Sequence, residues 1–107
     1  MRVKLYTPIV HVVPNTVGYG AVFDVRLYGA KIAAYRFMGS RMGPDGAWQI
    51  RLDPLETLGF ADAEITVREG DVLPLGTLPS VDVRFERVGP TELTVKAVGI
   101  HSLEDQH

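Results

Sequence analysis

Nine residues in the first half of the chain combine positive charge with aromatic or thioether character: Arg26, Tyr28, Lys31, Tyr35, Arg36, Arg41, Met42, Trp48 and Arg51. Guanidinium and ammonium groups neutralise phosphates, and aromatic faces stack on bases. A sheet carrying both, with Phe37 among them, would serve single-stranded nucleic acid or RNA. Trp, Tyr, Arg and Met are also the anchors enriched at protein interfaces. Two features favour the protein reading. The isoelectric point is near 5.9, whereas nucleic-acid binders usually present a basic domain. In a register that sets Phe37 opposite Leu52, Trp48 shares their face, which makes these aromatics core.

The remaining chemistry is sparse. There is no cysteine, so disulfides, thiolate nucleophiles and Cys-ligated metals are excluded. His11 sits between Val10 and Val12 and reads as a core or interface histidine. His101 and His107 bracket Glu104 and Asp105, nitrogen and oxygen donors for a divalent cation if that stretch folded back, but the commoner fate of such a stretch is a solvated end. No serine lies in a nucleophile-elbow pattern, and no His-x-x-x-His pair is present. Asp62, Glu64, Glu69 and Asp71 are enough carboxylates for acid–base work, yet acids flanking one exposed strand more often serve as solvating charges. The expectation is a protein without enzyme activity, cofactor or metal.

Two short motifs are turns. Arg68-Glu69-Gly70-Asp71-Val72-Leu73-Pro74-Leu75-Gly76 resembles the Gly-Asp…Pro-x-Gly rhythm of cupin-type barrels over about nine residues but lacks their metal-binding histidines. We read it as a β-turn whose Asp satisfies nearby backbone amides. Thr16-Val17-Gly18-Tyr19-Gly20 resembles the carbonyl loop of potassium-channel filters. The uncharged stretch around it is broken by Pro8, Pro14, Asn15, Gly18 and Gly20, and no segment approaches a span of about 20 apolar residues. No membrane role is expected.

At 107 residues, 46% hydrophobic and 22% charged, the chain suits one soluble domain over 1–107, with 101–107 as a tail able to stay disordered. The first residues, MRVKLYTPIV, lack the apolar core and cleavage site of a signal peptide, and with the missing cysteines this points to the cytoplasm. Charge is unevenly spread: residues 1–52 carry +5 and residues 53–107 carry −7. If the two halves occupy different faces, the asymmetry steers association. If their strands interleave, it reduces to surface ion pairs worth little.

Alternating apolar and polar residues predict strands throughout. Gly20 to Met38 reads as a hairpin turning at Gly29-Ala30 in a type II′ turn. That register places Leu27 opposite Ile32, Val25 opposite Ala34, Tyr28 opposite Lys31 and Asp24 opposite Tyr35, with one aliphatic face and one aromatic, charged face. Gly39 to Gly46 forms a glycine-rich loop carrying Arg41 and Met42, with a turn at Gly43-Pro44-Asp45-Gly46 before the strand Ala47 to Leu52. Asp53-Pro54-Leu55-Glu56 has the N-cap, first-turn proline and N3 acid of a helix start, predicting a short helix over 54–59. Ala63 to Val67 is a strand, and Val72 to Pro79 an extended segment unsuited to a central strand. The last hairpin turns at Val88-Gly89-Pro90, placing Asp82 opposite Lys96 and Glu86 opposite Glu92. The predicted fold is mainly β: an antiparallel barrel or sandwich of about seven or eight strands with that one helix.

The function expected is a non-enzymatic protein-interaction module, such as an accessory subunit, adaptor or small inhibitor, binding another protein and forming a homodimer. A small-ligand-binding β-barrel and a single-stranded nucleic-acid or RNA binder through the basic–aromatic half are the alternatives.

Overall fold

The computed structural model describes residues 9–57, 63–76 and 80–101. Nine strands follow one another: β1 (Val10–Val13), β2 (Thr16–Gly18), β3 (Val22–Leu27), β4 (Ala30–Met42), β5 (Trp48–Thr57), β6 (Glu64–Val67), β7 (Val72–Leu75), β8 (Ser80–Val88) and β9 (Glu92–His101). They form two antiparallel sheets, one ordered β1-β3-β4-β5-β6 and the other β2-β9-β8-β7. The sheets do not close into a barrel. No helix occurs among the described residues, so none there is long and apolar enough to cross a membrane.

Both sheets contribute to one apolar cluster, because alternation sends every second side chain inward. Phe23, Val25, Tyr35, Phe37, Ile50, Leu52 and Val67 come from the first sheet, and Leu75, Val81, Val83, Phe85, Leu93 and Val95 from the second. The rings of Phe23 and Tyr35, register partners on β3 and β4, lie 5.6 Å apart. The predicted aromatic, charged face is therefore corrected: Tyr35 faces the core with Phe23, Tyr28 is exposed in the turn, and the charges face out.

The first hairpin turns one residue earlier than predicted. Tyr28 and Gly29 are its central pair, at φ of 52° and 80°, with Leu27 opposite Ala30 and Arg26 opposite Lys31. Two positive φ values describe a type I′ turn, whose twist suits the flanking strands. A register shift between Val25 and Arg26 then aligns Val25 with Ala33 and Asp24 with Ala34. Tyr28 is an L residue in the left-handed region, a strain of about 1 kcal/mol. Tyr28→Asn, whose short side chain tolerates that region, should raise stability by about 0.5–1 kcal/mol. Urea unfolding at constant m-value measures this, and a loss instead would show that the Tyr28 ring contributes more than its backbone strain removes.

The helix expected over 54–59 is not found: residues 54–57 continue β5 as a strand, and 58 and 59 lie outside the described residues. Asp53 pairs with Arg36 and Pro54 with Tyr35. β4 is long enough to template its neighbour, and tertiary pairing overrides the local cap signal. Pro54 lies beyond the stretch that pairs with β6, Trp48 to Arg51, where no donor to a further described strand is required. The predicted Gly39–Gly46 loop is shorter than expected, since 39–42 belong to β4 and the turn is confined to Gly43-Pro44-Asp45-Gly46, closed by Gly43 N–H to Ala47 O at 2.6 Å.

The last hairpin is also re-registered. Its turn is closed by Gly89 N–H to Glu92 O at 2.9 Å. Lys96 faces Arg84, and Asp82 faces Gly99, after shifts at Asp82/Val83 and Phe85/Arg87. Such shifts follow from β-bulges, which add twist and are invisible to a period of two. β7 is an edge strand, as its one proline, Pro74, requires.

Candidate functional site

β4 is thirteen residues long, and its ladder with β5 shifts register at Ala34/Tyr35 and again near its end, between Phe37 and Ser40. Phe37 opposes Leu52 and Ser40 opposes Ile50, so Met38 and Gly39 together face Arg51 across a bulge. Gly39 sits at φ +95°, and a Cβ there would lie 3.3 Å from both Pro90 O and Tyr19 Cε2. The missing side chain lets the β8–β9 turn and the Tyr19 ring settle over the strand. Tyr19 N–H donates to Thr91 O at 2.9 Å, Gly20 N–H to Phe37 O at 2.7 Å, and Ser40 N–H to Pro90 O at 3.1 Å. Thr16-Val17-Gly18 is strand β2, and Ala21 N–H donates to Gly18 O at 3.0 Å, so the Tyr19-Gly20 end of that motif is the turn expected of it.

The bulge and the turn enclose an open groove of about 430 Å³. It is lined by Tyr19, Met38, Pro90 and Thr91 and by the polar residues Ser40, Arg41, Gln49, Arg51 and Glu64. Arg41 Nε donates to Gln49 Oε1 at 2.9 Å. That bond fixes the plane of the guanidinium and leaves its two Nη groups as a fork of donors. Arg51 Nε lies 3.8 Å from Asp53 Oδ1 with both side chains largely exposed, a pairing of little energetic weight. Glu64 is Arg51's register partner on β6, yet no ion pair of 4 Å or less joins them. Ser40 Oγ is shielded from solvent and has no hydrogen-bond partner.

Of the nine predicted site residues, the groove gathers only Arg41 and Arg51. Met42 is exposed at the end of β4, opposite Trp48, and does not line the groove. Trp48 is half-buried and packs against the core cluster. Tyr35 is 1% exposed, and its hydroxyl accepts from Gly76 N–H at 2.9 Å, so it is a core residue with its polar end satisfied. Arg26, Tyr28 and Lys31 lie at the far end of the β3–β4 hairpin, roughly 30 Å away at strand spacing. There Arg26 is held by Asp24 Oδ2 and Gly29 O, each at 3.0 Å. Arg36 is exposed on the outer face between Val22 and Asp53.

Tyr19, Ser40, Gln49 and Glu64 were not singled out for this site by sequence reasoning. The available signal was Gly39, an isolated glycine inside an apolar strand pattern, which marks a bulge or a close backbone approach.

The other titratable groups serve structure or lie apart. Asp71 Oδ2 accepts from Arg68 N–H at 2.8 Å, the turn-capping role expected of it, and Glu69 Oε1 accepts from Val88 N–H at 3.1 Å. Asp62 lies outside the described residues, as do Glu104, Asp105 and His107. His11 is half-buried in β1 with a shielded, unpartnered Nδ1. Among the described residues no three His, Asp or Glu are grouped to hold a metal.

The uneven charge of the two halves does not carry over to the sheets. The strands of the first sheet hold five cations (Arg26, Lys31, Arg36, Arg41, Arg51) against four acids (Asp24, Asp53, Glu56, Glu64). Those of the second hold three cations (Arg84, Arg87, Lys96) against three acids (Asp82, Glu86, Glu92). Arg41 and Arg51 come together in the groove, where Glu64 lies with them. Comparison with family models, with curated proteins and with solved structures finds no match for this chain.

Proposed function

We propose that this protein is a non-enzymatic interaction module that binds another protein through the groove at the β4 bulge, and that it forms a homodimer. One observation supports this most: the groove sets the fork of Arg41 and the guanidinium of Arg51 beside an exposed tyrosine ring, Tyr19. Arginine and aromatic anchors beside a cleft are the groups that carry binding energy at protein interfaces. A cytoplasmic setting accords with a chain free of cysteine.

The nucleic-acid reading loses Tyr35 and Phe37, which are core, and much of Trp48, which packs against it, and keeps Tyr19 and Tyr28 as exposed rings. The small-ligand reading loses its closed barrel.

The test is differential capture. Immobilised wild-type protein and the variants Arg41→Glu and Met42→Ala are exposed to the same protein mixture, with circular dichroism confirming that each variant is folded. A partner retained by the wild type and reduced at least about tenfold by Arg41→Glu is expected, the effect of reversing a charge inside an interface. Equal capture by all three removes the groove from the interface. Retention of a random oligonucleotide at low salt, lost in Arg41→Glu, would favour nucleic acid instead.

A further inference from the structure

The groove's charges restrict what can occupy it. Its two guanidiniums face one carboxylate, Glu64, so it attracts a short acidic group but repels a continuous polyanion at one end. Arg41 is already oriented by Gln49, and a fork held in plane suits bidentate contact with a carboxylate. The Tyr19 ring and Met38 add apolar surface. The complementary ligand is an extended peptide with an apolar residue followed directly by acids.

This chain contains such a segment. Ser102-Leu103-Glu104-Asp105-Gln106-His107 follows β9 directly. The groove lies at the β8–β9 turn, at Pro90 and Thr91, and β9 runs from there to His101, about 30 Å at strand spacing. Leu103 to Asp105 lie within four residues of His101 and reach at most about 14 Å from it, so they cannot return to the groove of their own molecule. A second copy lying antiparallel beside the first places each segment next to the other's groove. Because groove and segment are at opposite ends of β9, a two-fold axis makes the exchange reciprocal and closes the assembly at two copies.

We infer that the groove of one copy binds the acidic segment Leu103-Glu104-Asp105 of a second, through Arg41 and Arg51. The inference rests on the groove being a protein-binding face and names its occupant. The full chain, Arg41→Glu, Glu104→Lys and the double variant Arg41→Glu/Glu104→Lys are compared by size-exclusion chromatography with light scattering at low and high salt. The wild type should be a dimer that weakens as salt rises. Each single variant should raise the dimer dissociation constant on the order of tenfold, and the double variant should recover most of that loss. The peptide Ser-Leu-Glu-Asp-Gln-His, added in excess, should dissociate the wild-type dimer. A monomer at both salts, a dimer indifferent to the single variants, or a double variant no better than the singles overturns the exchange. If in those cases Arg41→Glu still abolishes partner capture, the groove remains an interaction face with a different occupant; if capture is also unchanged, both readings fail.

Discussion

Phe37→Ala should lower the free energy of unfolding by about 3–5 kcal/mol, the range for truncating a fully buried aromatic. Phe37 is 0% exposed. It faces Leu52 across the β4–β5 ladder, and its amide donates to Ala21 O at 2.9 Å. At about 4–8 °C per kcal/mol for a chain near this size, the melting temperature should fall by about 12–40 °C. If the alanine variant does not fold, Phe37→Leu keeps most of the apolar volume and should lose about 1–1.5 kcal/mol. Urea unfolding of both variants distinguishes a core residue from an exposed stacking platform. A platform residue would move the midpoint little and reduce oligonucleotide retention instead.

Gly39→Ala should be the second large effect, about 2–3 kcal/mol, because it adds a side chain where φ is positive and where Pro90 O and the Tyr19 ring, 3.3 Å from the new Cβ, must give way. Gly46→Ala separates the two contributions. Gly46 has φ +84°, but nothing lies within 4 Å of its added Cβ, so it should lose only about 1 kcal/mol from backbone strain. The excess at Gly39 measures the closeness of Tyr19 and Pro90 over β4. Exposure of the Tyr19 ring to fluorescence quenchers should rise in Gly39→Ala as the ring is displaced, and the groove should lose affinity for its occupant. Equal losses at Gly39 and Gly46 would show that the groove wall yields without resistance.

Alternation and turn residues were sufficient to expect an antiparallel β protein, the Phe37–Leu52 pairing, the turn at Gly43 to Gly46 and the capping role of Asp71. These are local signals, each contained in a few consecutive residues. Asp53-Pro54-Leu55-Glu56 was also a local signal, and it misled because the same residues are compatible with a strand once β4 supplies a partner. Registers failed at Val25/Arg26, at Asp82/Val83 and at Phe85/Arg87 because a bulge changes which residues face each other without changing which of them are apolar. Only part of the candidate site was legible. Arg41 and Arg51 were chosen for their chemistry, but the groove joins them to the β2–β3 turn, to β6 and to the β8–β9 turn, and no periodicity couples such distant segments. The charge asymmetry of the sequence is lost in the sheets, where the first strand set holds five cations with four acids and the second three of each.

β2 lies beside β9 in the second sheet, and Thr16 and Thr94, 78 positions apart, are joined by their hydroxyls. Closing so long a loop has an entropic cost that no local contact offsets, so this edge of the sheet should form late and limit the folding rate. Synthesis proceeds at about 5–20 residues per second, so β2 waits several seconds for β9 to be made. During that interval the apolar side chain of Val17 has no strand to cover it, and the nascent chain is exposed to aggregation or to chaperones. A product ending at Thr91 would hold neither β9 nor a place for β2, and its second sheet would be reduced to β7 and β8.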